Sequence, residues 1–444
     1  MNTLTQICVA GVALFLQAGL TSAGAETATQ TVGSSQSIPS YSQPPKPRQL
    51  TPVEQARRIA NQILRGAKPR QRHAEAANHS QNAQRSSPQK ATLDRMIGQM
   101  IMVGFHGTST KSRDVARTVA AIRSGKVGGV VLLGYNLKSS SQLKDLTGDL
   151  KSAAAGHLPP FIGLDQEGGL VQRLGPKQGL RKYPSAARIA KTETPQQAQA
   201  VYSNMAGDLA RHGINLNFGP VVDLGVNKRN PVIYKPGRSY SALPKRVADY
   251  AGAFIDAHAK NGVLTAAKHF PGHGSSNSDS HKGFVDITKT WSEIELAPYR
   301  ALASSGKLDM VMVGHLFHER LAGTTGQRHP ATLSDGIING LLRKELGFNG
   351  VVITDDFYMA AISKHYKLED SFVRAINAGN DIIMLTGIAG RSANPARLHK
   401  ILRSAVDAGR ISHDRVRQSY DRIVRLKREL YARQHRARAR RAEK

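Results

Sequence analysis

The chain has 444 residues, of which 40% are hydrophobic and 21% charged, an ordinary content for a globular protein with a large core. Its formal net charge of +30 predicts attraction to polyanions such as nucleic acid, anionic membrane or acidic glycan, unless it reflects a basic proteome and basic chain ends. The single cysteine, Cys8, lies in the N-terminal apolar run, so a chain processed after that run forms no disulfide and no thiolate zinc site.

Residues 1–25 have the pattern of a secretory signal peptide. An apolar run over residues 7–20 precedes the small residues Ala23-Gly24-Ala25, which form an A-x-A cleavage site. The run is too short for a comfortable membrane span. We therefore expect a periplasmic or secreted protein without a membrane span after cleavage, with an uncleaved anchor as the alternative.

Two further segments differ in composition from the central part of the chain. Residues 26–91 form a low-complexity basic linker, rich in Ser, Gln, Pro and Ala, which we expect to be a disordered N-terminal arm. Within it, PVEQARRIANQILRG has the spacing of a short amphipathic helix. Residues 431–444 (YARQHRARARRAEK) are interpreted as a basic tail for solvation or contact with anionic surfaces, or as a frayed helix end.

The central part, residues 92–430, alternates apolar runs with helical patterns such as ADYAGAFIDAHAKNG. Nearly continuous apolar runs are typical of parallel strands buried on both faces. Eight such units predict an α/β fold, a (β/α)8 TIM-type barrel forming a single catalytic domain, with a doubly wound sheet as the structural alternative. The runs are 99–105, 127–134, 160–165, 214–221, 263–270, 309–315, 350–356 and 381–387.

Polar residues end five of the eight runs. In a barrel these ends face one mouth, where an active site belongs. The residues are Asp165, Asn217, Lys268 with His269, His315, and Asp355 with Asp356.

The stretch KHFPGHGSSNSDSH (268–281) contains three histidines. His269 and His273 have the i, i+4 spacing of a helical metal site, but the intervening Pro-Gly prevents a regular helix and no further ligand pattern is evident, so we expect no metal. Asp279 can orient the imidazole of His281 for proton transfer, although a solvated loop pair is the alternative.

Two other stretches carry candidate chemistry. In VVITDDFYM (351–359) one carboxylate can act as a nucleophile, or both can cap the following helix. In DQEGGLVQR (165–173), Asp165 can accept hydrogen bonds from sugar hydroxyls and Arg173 can donate them. No dinucleotide fingerprint or phosphate loop is present, so no nucleotide cofactor is expected.

Five motifs in order resemble glycoside hydrolase family 3, most closely its β-N-acetylglucosaminidase branch. The resemblance covers residues 92–390 and implies a retaining mechanism through a covalent glycosyl-enzyme, without metal or cofactor. The motifs are DQEGG-x-VQR (165–173), N-F-x-P-V-x-D (217–223), G-R-S-Y (237–240), KHFPGHG-x4-DSH (268–281) and TDD-x-x-M (354–359).

The resemblance also implies a role for individual residues. Asp355 matches the nucleophile, His281 the acid/base and Asp279 its partner, while His273 is expected to stabilise the loop. Five residues match those that bind the non-reducing N-acetylglucosamine: Asp165, Arg173, Arg238, Lys268 and His269. A loop over residues 274–283 is expected to close over the bound sugar.

The chain departs from the family pattern at Leu170, Gly219 and residues 234–236, which puts the aglycone preference in doubt. We expect an exo-enzyme that acts on peptidoglycan fragments or chito-oligosaccharides. It is expected to make electrostatic contact with an anionic cell wall, to be a monomer and to bind no specific nucleic acid. A β-glucosidase, a phosphorylase that uses phosphate as acceptor, and a non-catalytic wall-binding or polyanion-binding protein remain as alternatives.

Overall fold

Eight parallel strands form the centre of the fold. The computed structural model describes residues 91–321, 328–388 and 391–443. The strands are β1 (Ile101–Gly104), β2 (Gly129–Val131), β3 (Phe161–Leu164), β4 (Leu216–Asn217), β5 (Leu264–Phe270), β6 (Met310–Val313), β7 (Val351–Thr354) and β8 (Ile383–Leu385). Each lies within one predicted apolar run, so the strand prediction is confirmed.

The strands pair in chain order and close on themselves. β1 to β7 are consecutive neighbours, and β8 pairs with β1 through Ile101 and Ile383. A bridge between Ile353 and Ile382 joins β7 to β8. The sheet is therefore a (β/α)8 barrel, as predicted, and the doubly wound alternative is wrong.

Helices surround the barrel. They are α1 (Leu93–Gln99), α2 (Arg113–Arg123), α3 (Ser140–Ser152), α4 (Ala186–Thr192), α5 (Pro195–Arg211), α6 (Pro244–Lys260), α7 (Ala297–Ser304), α8 (Ala360–Ser363), α9 (Leu368–Asn377), α10 (Pro395–Asp407) and α11 (His413–Ala442). A π-helix covers Gly336–Glu345. Three small two-stranded sheets pair Gln166–Gly168 with Val171–Gln172, Val285–Asp286 with Leu316–Phe317, and Gly387–Ile388 with Arg391–Ser392.

Helix α5 shows how the sequence produces this outer layer. The Thr194 hydroxyl accepts the N–H of Gln197 and the Gln197 side chain accepts the N–H of Thr194, a capping box that starts the helix. Its inner face buries Tyr202, Met205 and Leu209 at a spacing of three and four residues. Burial of each large apolar side chain contributes about 1.5–3 kcal/mol.

The last helix, α11, crosses the barrel floor, the end opposite the mouth. Its Arg415, Ser419 and Arg422 bind the buried Asp381, which precedes β8. The Lys427 ammonium donates to the side-chain Oε1 of Gln99 (2.6 Å) and to the backbone carbonyl of Gly128 (2.8 Å), two residues that precede β1 and β2. Further along, Arg433 pairs with Asp309, which precedes β6.

The boundary predicted at residue 430 falls inside this helix. Leu426, Leu430 and Ala437 continue one buried face, and Arg440 donates to the carbonyl of Lys260 at 2.7 Å. The basic C-terminal residues up to Ala442 are thus part of a packed helix, because their small apolar neighbours keep helical spacing. No helix in the described ranges is long and apolar enough to span a membrane. The predicted signal peptide and N-terminal arm lie outside those ranges.

Candidate active site

Polar side chains meet at the barrel mouth. Asp165 follows β3, Lys268 and His269 belong to β5, His315 follows β6 and Asp355 follows β7. Asn217, which ends β4, is completely buried and hydrogen-bonds to the backbone of the segment after β3. Its Oδ1 accepts the N–H of Gln166 (3.0 Å) and its Nδ2 donates to the Gln166 carbonyl (2.9 Å), so it positions the segment after β3.

Alternating charges link the predicted sugar-binding residues. The Lys268 ammonium lies 2.7 Å from Asp165 and 2.8 Å from Glu167. Arg173 contacts the other oxygen of Asp165 at 3.2 Å. Arg238 forms a bidentate pair with Glu167, both contacts being 2.8 Å. The structure therefore brings together Asp165, Arg173, Arg238 and Lys268, and Glu167 joins them.

The charges of this network compensate for burial. Burial raises the pKa of Glu167, but Arg238 and Lys268 outweigh it and hold that pKa well below its usual range. Burial likewise opposes the ionisation of Asp165, and Lys268 and Arg173 lower its pKa overall. Burial would lower the pKa of Lys268, whereas the two carboxylates raise it. All members are therefore ionised, and they present a preorganised polar surface to a ligand.

Asp223 positions the two histidines of the KHFPGH segment. Its Oδ2 lies 2.7 Å from Nδ1 of His269, and its Oδ1 accepts the backbone N–H groups of His269 (3.1 Å) and His273 (2.8 Å). His269 Nδ1–H is the donor in that pair, so Nε2 faces the site, 3.5 Å from Arg238. Burial lowers the pKa of His273 to about 4, and its neutral ring contacts the hydroxyl of Ser276 at 2.6 Å.

The two carboxylates after β7 have different surroundings. Burial alone would raise the pKa of Asp355, but His315, His269 and His281 outweigh this effect. The pKa is therefore lowered and the carboxylate is ionised. Asp356 is held by the N–H groups of Tyr358 and Thr386, both at 3.1 Å, and by the Thr386 hydroxyl. Burial raises the pKa of Asp356. Asp356 is thus a turn residue, and Asp355 is the carboxylate available at the mouth.

Neutral His315 stabilises this turn by a hydrogen bond to the backbone of Asp356. Burial lowers its pKa. Its Nε2 lies 2.9 Å from the Asp356 carbonyl, which can only accept, so Nε2 carries the proton and Nδ1 accepts the Thr332 hydroxyl at 2.8 Å. The ring links β6 to the turn that carries Asp355.

His281 and Asp279 form a dyad on the loop after β5. Oδ1 of Asp279 lies 2.7 Å from His281 Nδ1 and accepts the His281 backbone N–H at 2.9 Å. The imidazole is 63% exposed and the carboxylate 22%. Asn230 donates to the carbonyls of His273 and Gly274, which anchors the start of the loop. The dyad is therefore oriented locally while its ring faces solvent.

Sequence reasoning assigned no role to Glu167 or Asp223, although both lie in the quoted motifs. Their importance arises from contacts with residues 46 to 101 positions away in the chain, such as Asp223 with His269 and Glu167 with Lys268. In the described ranges, no group of three or more His, Cys, Asp or Glu side chains is placed to hold a metal ion.

Comparison with known proteins decides the family. Residues 92–426 match the N-terminal domain of glycosyl hydrolase family 3. The chain belongs to glycoside hydrolase family 3. This family 3 chain is 32% identical over 370 residues to beta-hexosaminidase A of Pseudoalteromonas piscicida, covering 76% of the chain and 61% of that relative. It is 34% identical over 341 residues to beta-hexosaminidase LpqI of Mycobacterium tuberculosis, covering 74% of the chain and 81% of LpqI.

Solved structures agree with this membership. The family 3 beta-N-acetylglucosaminidase of Paenibacillus sp. str. FPU-7 superposes with a TM-score of 0.70 at 33% identity, over 77% of this chain and 63% of that one. The chain thus spans less than two thirds of the Pseudoalteromonas and Paenibacillus proteins. The fold and family expected from the motifs are confirmed.

Proposed function

We propose that this family 3 hydrolase is a retaining exo-β-N-acetylglucosaminidase. It removes non-reducing terminal N-acetylglucosamine from peptidoglycan fragments or chito-oligosaccharides. The observation that carries the proposal is the presence at one mouth of a half-buried ionised carboxylate, Asp355, and an exposed, carboxylate-oriented imidazole, His281. Two groups in such different environments suit a nucleophile and an acid/base.

In the first step Asp355 attacks the anomeric carbon of the bound sugar. His281 is in its imidazolium form, with Nδ1–H donated to Asp279, and Nε2–H gives its proton to the departing glycosidic oxygen. The products are a covalent glycosyl-enzyme and a free alcohol. Asp279 favours this step because its negative charge stabilises the imidazolium and holds the ring in one orientation.

In the second step the neutral imidazole of His281 removes a proton from water. The resulting oxygen nucleophile attacks the anomeric carbon and releases Asp355, which gives net retention of configuration. Because this base is neutral, no second free carboxylate repels an incoming nucleophile. The site therefore also tolerates an anionic acceptor such as phosphate, which keeps phosphorolysis as the alternative outcome of the same intermediate.

The charged network recognises the sugar that is cleaved. Asp165 offers acceptor oxygens, and Arg173, Arg238 and Lys268 offer donors to hydroxyl and acetamido groups. His269 presents Nε2 to the same space. Fixed donors and acceptors of this kind discriminate strongly against a sugar that lacks a partner group, since the buried polar atoms then stay unpaired.

Hydrolysis of paired 4-nitrophenyl β-N-acetylglucosaminide and β-glucoside by wild type and Asp355→Ala tests the proposal. We expect cleavage of the acetylated substrate alone, and loss of turnover in a folded variant. Added azide should restore turnover of Asp355→Ala and give the α-azide, because a small anion fills the vacated position. Cleavage of the glucoside alone would favour a β-glucosidase, and phosphate-dependent formation of sugar 1-phosphate would favour a phosphorylase. Activity retained by the variant would refute the nucleophile, and cleavage of neither substrate would favour the binding-protein alternative.

We also propose that the signal peptide, residues 1–25, directs export, so that the enzyme acts in the periplasm or outside the cell. The N-terminal sequence of the secreted protein, made with its natural leader, tests this. A mature chain that starts at Glu26 is expected. Retention in the cytoplasm with Met1 intact would contradict it.

A cationic surface on the barrel floor suits contact with an anionic cell wall. Arg441 donates to Asn261 at 3.4 Å, and partial burial lowers its pKa, with smaller contributions from the nearby charges of Arg211 and Arg438. Lys151 also lies near Arg438, whose charge adds to the effect of desolvation in lowering the pKa of Lys151. Among the ion pairs of the described ranges, none involves Lys151, Arg438 or Arg441. We expect Arg438→Ala/Arg441→Ala to lower salt-sensitive binding to isolated cell walls, while Arg417→Ala, an exposed control, does not.

A further inference from the structure

Two aromatic rings stack at the rim of the mouth, outside the charged network. His106 follows β1 and Tyr135 follows β2, and their ring centroids are 4.3 Å apart at an interplanar angle of 14°. His106 covers one face of the tyrosine ring, yet 44% of Tyr135 stays exposed. Tyr135 therefore exposes a flat, partly apolar ring surface to solvent. The proposed chemistry does not use this surface.

A buried asparagine holds this pair in place. The Nδ2 of Asn136 donates to the carbonyls of Phe105 (2.9 Å) and Gly107 (2.8 Å), on either side of His106. Its Oδ1 accepts the backbone N–H of Leu133 at 2.9 Å. Asn136 is completely buried, so its hydrogen bonds join the loops after β1 and β2. The stacked rings are thus preorganised, which lowers the entropic cost of binding a ligand.

The pair lies on the side of the mouth that holds Asp356, the neighbour of the reacting carboxylate Asp355. Gly104, at the end of β1, packs so closely on Thr386 that an added Cβ would be 2.7 Å from its carbonyl oxygen. Thr386 in turn binds Asp356, the neighbour of Asp355. Burial and the Asp356 charge raise the pKa of Tyr135, which places both groups in one electrostatic environment. Around the barrel, β1 lies opposite β5, whose loop carries His281.

We propose that the His106–Tyr135 pair is the binding surface for the sugar ring of the leaving group. The inference rests on the proposed hydrolysis of β-N-acetylglucosaminides. A pyranose presents an apolar face of C–H groups, and an aromatic ring held rigidly by a second ring complements that face. The charged network binds the cleaved sugar through polar contacts, so the aromatic pair supplies the different surface that the next residue of the glycan needs. The ligand class is a pyranoside on the reducing side of the cleaved bond.

Two substrates that differ only in the leaving group test this. One is the β-1,4-linked disaccharide of N-acetylglucosamine, and the other is N-acetylglucosaminyl β-fluoride, whose leaving group has no ring. We expect Tyr135→Ala to lose about tenfold in kcat/KM on the disaccharide and to stay within about twofold of wild type on the fluoride. Tyr135→Phe keeps the ring and should behave like wild type on both substrates.

An equal loss on both substrates, or no loss on the disaccharide, would overturn the aromatic subsite. A wild type that cleaves neither substrate would instead refute the proposed function. A binding measurement separates the subsite from catalysis. In the Asp355→Ala background, Tyr135→Ala should weaken binding of the disaccharide about tenfold and leave binding of monomeric N-acetylglucosamine unchanged. Unchanged disaccharide binding would also overturn the inference.

Discussion

Nδ1 of His281 lies 2.7 Å from Oδ1 of Asp279, and the same oxygen accepts the His281 backbone N–H. One carboxylate oxygen therefore fixes both the backbone turn and the ring of an otherwise exposed histidine. This arrangement orients a proton donor without burying it, so the ring can approach a glycosidic oxygen held above the barrel.

We predict that Asp279→Ala lowers kcat/KM, which reports the glycosylation step, on a disaccharide by about a hundredfold, because the imidazolium loses its orientation and its counter-charge. The loss on a 4-nitrophenyl glycoside should be much smaller, since that leaving group departs without protonation. Steady-state kinetics on both substrates measure the effect, and Ser278→Ala is the loop control. Equal losses on the two substrates would contradict a role in proton donation.

Glu167 is expected to control sugar binding through Arg238 and Lys268. Glu167→Gln keeps the shape of the side chain but removes the charge between the two cations, which lie 2.8 Å from its oxygens. The KM for the N-acetylglucosaminide should rise at least about tenfold, and the free energy of unfolding should fall by about 3 kcal/mol. The matched control is Glu345→Gln in an exposed pair with Arg300, which should change unfolding by less than about 1 kcal/mol. An unchanged KM would remove Glu167 from the binding site.

Glu295 makes stability dependent on pH at the base of the dyad loop. Its Oε2 accepts the Gly274 N–H at 2.8 Å, and burial raises its pKa from 4.5 to about 7. The pKa of Glu295 is higher in the folded than in the unfolded protein. Its contribution to the free energy of unfolding is therefore complete below pH 4.5 and is lost as the pH rises through 7. Glu295→Gln cannot titrate. Between pH 5 and pH 8 the wild type should therefore lose about 2 to 3 kcal/mol more unfolding free energy than the variant, as measured in urea. Parallel pH profiles would show that Glu295 titrates normally.

Asp381 anchors the last helix to the barrel floor. Its buried carboxylate receives Arg343 at 2.7 Å, Ser419 at 2.8 Å and Arg422 at 3.0 Å. Asp381→Asn should lower the unfolding free energy by about 3 to 5 kcal/mol, because several cations lose their partner. The kcat of the folded fraction should not change, since the residue lies opposite the mouth. Asp370→Asn, in an exposed pair with Arg410, is the control and should be nearly neutral. A stable Asp381→Asn would show that apolar packing alone holds the helix.

Much of the fold was predictable because its signal is local. The residues of all eight strands are buried and most are apolar, a pattern that short, nearly continuous apolar runs reveal in the chain itself. The polar residues that end these runs could be placed at one mouth because parallel strands share a direction. Helix α11 was harder to delimit, since its basic C-terminal residues resemble a solvated tail and only packing shows that Leu430 and Ala437 are buried.

The sequence by itself determined the barrel, the family motifs and the residue types available for chemistry. The tertiary structure alone decided which of them meet. Two adjacent aspartates, Asp355 and Asp356, have the same local sequence context, yet the contact with Thr386, the residue after β8, makes Asp356 a turn residue. Likewise, the stacking of His106 on Tyr135 joins loops after two different strands. Such contacts depend on distances between remote segments, which hydrophobic periodicity does not encode.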